Sequence, residues 1–402
     1  MSCIATIERE VWYAHDPNVG APLVGARYLG KGLRREETLG IETHSDWTQH
    51  HRVRTSDDNG RTWSDWQEDP RSWPAKDGYS REQLPFAWCE DPNRDVTVRF
   101  LFHRLLEGEG PDALREHWKT GRQTMFDHNY YQLSFDEGRT WSDRKQLRYE
   151  PGDGLQDNAM YGGYSAIATR DGAIVYPSAG IPVDLDGEAV SGVRCFIGRW
   201  NDAANDYTWD VSSPIAVPHA VSGRGLMEPA IAELTNGRLL VAMRGATDTV
   251  EPQWKGKTTS PGRHWIALSN DGGRTFGDVT DLRYDNGRQF YSPSAFSLLR
   301  RHSNGTLYWF GNITPKQPDG NLPRYPLVMA EMDEATPSLR RDTVTVIDDY
   351  DPTIHSPAIQ FSNFTIIENR ETRAFDLYMT RYGERKSHWL HADAHRYTIA
   401  LQ

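Results

Sequence analysis

Apolar and polar residues alternate over short runs along most of the chain, and helical periodicity is scarce. Residues 3–13 (CIATIEREVWY) and 96–103 (VTVRFLFH) carry the period-two pattern of strands. Longer stretches read as strand pairs around a tight turn. GYSAIATRDGAIVYPS turns at Asp171-Gly172, EPAIAELTNGRLLVAMRG at Asn236-Gly237, and SPSAFSLLRRHSNGTLYWFGNI at Asn304-Gly305. A second kind of turn recurs as SDDNGRTW (Ser56 to Trp63), SFDEGRTW (Ser134 to Trp141) and SNDGGRTF (Ser269 to Phe276), with an eroded copy from Trp200 to Trp209. In each full copy the Asp can accept backbone N–H bonds, Gly can take a positive φ, and the last aromatic can pack beneath the turn. Such turns fasten strands and carry no chemistry of their own.

Laid end to end, these signals place first strands near 22, 85, 164, 228, 293 and 360, a period of about 65 residues. Six such units fill the chain. They predict an all-β fold, a six-bladed β-propeller of four-stranded antiparallel blades. The last unit lacks an outer strand, so the N-terminal run is expected to complete it and close the ring. The first blade spans about 20–66 and the second about 84–145, with a long insertion near 105–126. No Pro/Gly/Ser linker or low-complexity tract divides the chain, so residues 1–402 are expected to form one domain.

Composition refines the picture. The apolar fraction of 37% is low, but 14 Trp, 18 Tyr and 13 Phe supply large surfaces for packing between sheets. A net charge of −11 argues against a general nucleic-acid partner, yet leaves room for an acidic substrate in a local basic pocket. Cys3, Cys89 and Cys195 lack metal-ligand spacing and are expected as reduced, buried thiols. The N-terminal run has no apolar core for a leader and no run approaches a membrane span, so a cytoplasmic location is expected. The histidines show no ligand spacing, and neither metal nor cofactor is expected.

Meander topology sorts residues by face. The Asn-Gly and Asp-containing turns share one face. The starts of first and third strands and the ends of second strands share the other. That second face collects His44, Asp46, His103, His128, Tyr164, Glu228, Arg244, Tyr291, Arg324 and Arg381. Arg244 and Arg324, on adjacent blades, suit a substrate carboxylate held by forked hydrogen bonds. Glu228 suits orientation of Arg244 or activation of a hydroxyl, and Asp46 suits a general acid/base. His128 and Tyr164 are proton-transfer candidates, with His44 and Tyr291 as substrate contacts.

The turn repeats resemble the Asp-box of the sialidase superfamily, and other stretches resemble the same family. MEPAIAELTNGRLLVAMRG is similar to the segment with the catalytic Glu and second arginine of its carboxylate-binding triad, here Glu228 and Arg244. NLPRYPLVMAEMDE is similar to the segment with the third arginine, here Arg324, and THSDWTQHHRVRTSDDNGRTW to that with the acid/base, here Asp46. Two positions depart from the pattern. Gly20-Ala21-Pro22 stands where the family has Arg-Ile-Pro, and Phe361 stands where it has its tyrosine nucleophile. The resemblance implies an exo-glycosidase acting on a terminal carboxylate-bearing sugar, sialic acid-like or uronic, with an acidic oligosaccharide or glycoconjugate as partner. Loss of the nucleophile keeps two alternatives open. One is a lyase that eliminates across a uronate, with Arg244 and His128 or Tyr164; the other is a non-catalytic glycan-binding propeller.

Overall fold

The computed structural model describes residues 4–69, 72–120, 123–248, 255–256 and 258–402, by backbone alone at 72–75 and 83–86. Cys3 lies outside them. Six antiparallel sheets form the blades of a six-bladed β-propeller. Their innermost strands are Ala21–Tyr28, Tyr79–Glu90, Ile167–Ala168, Met227–Glu233, Leu298–Arg301 and Thr365–Glu368. Each is followed outward by its sequence neighbours, so every blade is a meander. Blade six takes its outermost strand from the other end of the chain. Ala5–Tyr13 pairs antiparallel with Ala394–Leu401, from Ala5 opposite Leu401 to Tyr13 opposite Ala394, and this latch closes the ring.

Blade two differs from the expected pattern in two ways. An extra strand, Ser72–Lys76, pairs with Tyr79–Glu90, giving five strands. The expected insertion also contains a helix, Gly110–Thr120. Pro111 in the first turn, Asp112 beside it, and His117 and Lys119 in the last turn suit the fixed φ of proline and the helix dipole. Only Leu114 of this helix is buried, while Trp118 stays 46% exposed.

The blades pack through their aromatic faces. Between blades five and six, Phe296, Tyr308, Phe310, Phe361, Phe375 and Tyr397 form one buried cluster. Phe100 stacks on Tyr176 at 4.1 Å between blades two and three. Burying each such ring contributes about 1.5–3 kcal/mol, which compensates for the low apolar fraction.

The repeated turns fasten strand three to strand four in blades one, two and four. In the first, Asp58 Oδ1 accepts the N–H groups of Arg61 and Thr62 at 3.0 and 2.8 Å, and Asp58 Oδ2 accepts the Thr62 hydroxyl at 2.6 Å. Asp136 and Asp271 repeat this bonding with Thr140 and Thr275. Hydrogen bonds from the threonines hold Asp58 and Asp136 down to about 2. Asp271 also falls to about 2, its threonine and serine bonds outweighing burial. The aromatic reaches back to an arginine of strand two or three, with Arg54 4.5 Å above Trp63 and Arg99 4.0 Å above Trp141. Cys89 and Cys195 are free and buried. No helix among the described residues is long and apolar enough to cross a membrane.

Candidate active site

A cavity of about 1620 Å³ runs along the propeller axis and is lined by residues from all six blades. Asp46, Glu228, Arg244 and Arg324 line it at the end that carries the starts of first strands. Arg244 closes the second strand of blade four, Leu239–Arg244, and Arg324 precedes the third strand of blade five, Leu327–Asp333. They converge on one oxygen: Arg244 Nη1 donates to the carbonyl of Ser294 at 3.1 Å, and Arg324 Nη2 donates to the same carbonyl at 2.8 Å. Arg324 Nη1 also donates to Gln360 Oε1 at 2.9 Å and Ser362 Oγ at 3.2 Å. Burial, and then the charge of Arg244, push the Arg324 guanidinium down to about 10. Two cations held side by side at a cavity wall repel each other, and a bound anion relieves that repulsion.

Glu228 reaches the cavity through a backbone irregularity. Pairing of Met227–Glu233 with its neighbour slips between Met227 and Ala230, and Glu228 takes φ 48°. This bulge turns the carboxylate toward Arg244, 3.1 Å from its Nη1. Asp46 is set by a comparable device. It occupies the tight turn between Arg35–His44 and Trp47–Ser56 with φ 58°, and its N–H donates to Glu42 Oε1 at 3.0 Å. Glu42 accepts a second hydrogen bond from the Tyr382 hydroxyl, and burial raises its carboxyl to about 7. Tyr382 stacks on Trp389, a cavity-lining residue, at 4.5 Å.

Tyr161 and Tyr164 face the cavity from blade three, their hydroxyls 2.9 Å apart. The loop needs glycine between them: a Cβ on Gly163 would stand 1.9 Å from the carbonyl of Pro177. Burial raises both phenols above the usual tyrosine range, and the charge of Glu228 adds to the effect. Arg104 completes the wall from blade two, bonded through Nε and Nη2 to Asp127 at 2.9 and 3.0 Å. Trp118 stands at the rim.

Of the residues singled out from the sequence, Asp46, Tyr164, Glu228, Arg244 and Arg324 meet at this cavity. His44, His128 and Tyr291 do not line it. His44 is exposed and beside the Thr43 hydroxyl at 3.3 Å. Tyr291 bridges Thr314 through its backbone, and its ring lies 4.8 Å below Arg263. In blade two the strand alternation separates neighbours: Arg104 opposite Asp127 forms the cavity pair, and His103 opposite His128 forms the next pair on the other side. His128 is buried and bonded to the backbone of Asp157 and Leu155, and burial lowers it from the ordinary histidine value. His103 packs edge-on to Tyr130, and burial lowers it to about 4. Arg381 is buried against Asp348, Glu384 and the ring of Phe361.

Sequence reasoning missed Glu42, Arg104, Asp127, Tyr161 and Gln360. Glu42, Arg104, Asp127 and Gln360 each lie one or two residues from a residue it named, where strand parity is the distinguishing signal, and Tyr161 lies three before Tyr164 in the same loop. Both departures from the family pattern have structural counterparts. Ala21 sits against Tyr382, Leu390 and Ala392, with no guanidinium at that position. Phe361 is fully buried between blades, while Gln360 beside it reaches Arg324.

No family model matches the chain, and no curated protein matches it by sequence. Solved structures do match. A protein of unknown function from Dyadobacter fermentans superposes with TM-score 0.60 at 14% identity, covering 98% of this chain and 99% of the other. The NanB sialidase of Streptococcus pneumoniae gives TM-score 0.59 at 13% identity, over 98% of this chain and 70% of that one. The intramolecular trans-sialidase of Ruminococcus gnavus gives 0.56 at 13% identity, over 98% and 97%. At these identities the likeness shows the fold alone: a six-bladed propeller also used by sialidases.

Proposed function

We propose that this protein is a glycoside hydrolase that releases a terminal carboxylate-bearing sugar, sialic acid-like or uronic, from an acidic oligosaccharide or glycoconjugate. The observation that carries this reading is the shared anchor of Arg244 and Arg324 on the Ser294 carbonyl, which aims two guanidiniums from adjacent blades into one cavity. Asp46, on the rim across the ring in blade one, is the group to protonate the leaving glycosidic oxygen. Tyr164 is the nucleophile in place of the family's last-blade tyrosine. Its oxygen bonds the anomeric carbon as the phenolic proton passes to Glu228, whose charge acts on both cavity tyrosines. Water then displaces the Tyr164 oxygen from the glycosyl-enzyme, with Asp46 as the base, as Glu228 returns the proton to the phenol.

The elimination alternative would work through Arg244 and Tyr164, since His128 does not line the cavity. A glycan-binding propeller needs no acid near its clamp, and Asp46 and Tyr164 therefore favour catalysis. The direct test is a pair of fluorogenic glycosides that differ only in a carboxylate or its primary amide. Hydrolysis of the acid at least about tenfold faster supports the reading, since one charged hydrogen bond is worth about 1.5–3 kcal/mol. Equal rates on the two, or turnover of neither across a panel of sialosides and uronosides, would overturn it.

A further inference from the structure

Below the Arg244 and Arg324 level the axial cavity is lined by the apolar side chains of Phe296, Leu298, Phe364 and Ile366. Beyond them, toward the face of the fastening turns, charged side chains return. Most are satisfied by the protein. Arg27 pairs with Glu36 at 2.9 Å and lies 3.3 Å over the Trp88 ring. Glu90 accepts from Gly30 N–H at 2.9 Å and the Thr97 hydroxyl at 2.7 Å. Arg370 donates to the carbonyls of Gly30 and Gly32. Glu368 accepts from Ser303 N–H at 2.8 Å and lies 3.5 Å from Arg373.

Arg300 is the exception. It sits on the innermost strand of blade five, Leu298–Arg301, and lines the channel two residues past Leu298. Its guanidinium makes no hydrogen bond or ion pair with any described residue. Burial alone pushes it down to about 10; no neighbouring charge of either sign contributes. A half-buried guanidinium beside an apolar wall without a counter-charge loses part of its hydration uncompensated, and an anion that pairs with it restores that loss.

We propose that the axial channel is an anion site, in which the guanidinium of Arg300 holds a small inorganic anion, a halide or a phosphate-class oxyanion. The fork of N–H donors suits such an ion. The ion sits beyond Leu298 and Phe364, away from Arg244 and Arg324, and so supports the inner strands without entering the reaction. The inference does not rest on the proposed hydrolase activity.

The test separates the two basic sites by working in an Arg324→Met background, in which the Arg244 and Arg324 clamp is broken. Thermal midpoints are measured while chloride or phosphate replaces a large organic sulfonate at fixed ionic strength. With Arg300 present, the midpoint is expected to rise saturably, by about 1–3 °C. With Arg300→Met or Arg300→Gln added, the saturable rise disappears, and stability in sulfonate is no lower because an unpaired charge has been removed. In crystals of the unmutated chain soaked in bromide, an anomalous peak is expected within hydrogen-bond reach of Arg300. An equal anion response with and without Arg300, or bromide crystals with no peak there, would overturn the proposal.

Discussion

Replacing Arg324 with methionine separates the work of the clamp from the stability of the fold. Arg324 is 8% exposed and donates to Gln360, Ser362 and Ser294. Methionine keeps much of its stem and removes its charge. No carboxylate loses its ion-pair partner, because Glu228 is paired with Arg244. Three hydrogen bonds are lost, but so are the desolvation of Arg324 and its repulsion with Arg244, which together lower its guanidinium to about 10. These opposing effects leave folding stability within about 1 kcal/mol, a midpoint change of about 1–2 °C. A carboxylate that loses one desolvated guanidinium loses about 2–4 kcal/mol, so kcat/KM should fall about 30- to 1,000-fold. The assay is initial-rate hydrolysis of the fluorogenic acid and amide glycosides by wild type and variant, with thermal unfolding of both. The loss should be confined to the acid. A folded Arg324→Met protein within about twofold of wild type on the acid would refute the clamp.

Three further outcomes follow from other parts of the molecule. Tyr164→Phe should lower turnover at least about 100-fold while leaving the dissociation constant of a carboxylated ligand nearly unchanged by calorimetry; an active variant would remove Tyr164 as nucleophile. Asp136→Ala should lower the thermal midpoint with an unchanged Michaelis constant. Because Asp136 is held at about 2 in the fold, below its ordinary 3.8, its contribution is present above pH 4 and is lost as pH falls toward 2, so wild type and variant should converge there. Glu42 has the opposite sign. Its carboxyl is raised from 4.5 to about 7, so its contribution is complete below about pH 4.5 and is lost as pH rises through 7. Glu42→Gln should therefore gain stability relative to wild type between those values in thermal scans, and a constant difference would contradict the assignment.

The six-fold ring was legible because its signals are local. The Asp-Gly and Asn-Gly turns announce hairpins, and the observed innermost strands begin at Ala21, Tyr79, Ile167, Met227, Leu298 and Thr365, close to the expected starts. The latch by Ala5–Tyr13 was also legible, because the last unit came up one strand short. The helix of blade two was hidden in an insertion, and its extra strand in the link between blades one and two, neither with a partner in the repeat. At the site, Arg244 and Arg324 could be placed by the ends of their strands. His128 and Asp127 could not be told apart, since a shift of one residue reverses the face of a strand. Glu228 and Asp46 depend on a bulge and a left-handed turn residue, conformations that their residue types do not announce.

The most direct measurement of the central claim is product analysis in heavy-oxygen water with carboxylate-capped oligosaccharides, followed at once by mass and ultraviolet absorbance. Hydrolysis through the Arg244 and Arg324 clamp predicts a released sugar that carries one heavy oxygen at the anomeric position and no new chromophore. An unsaturated uronate chromophore with no gain of water would contradict it, and would make this propeller a lyase.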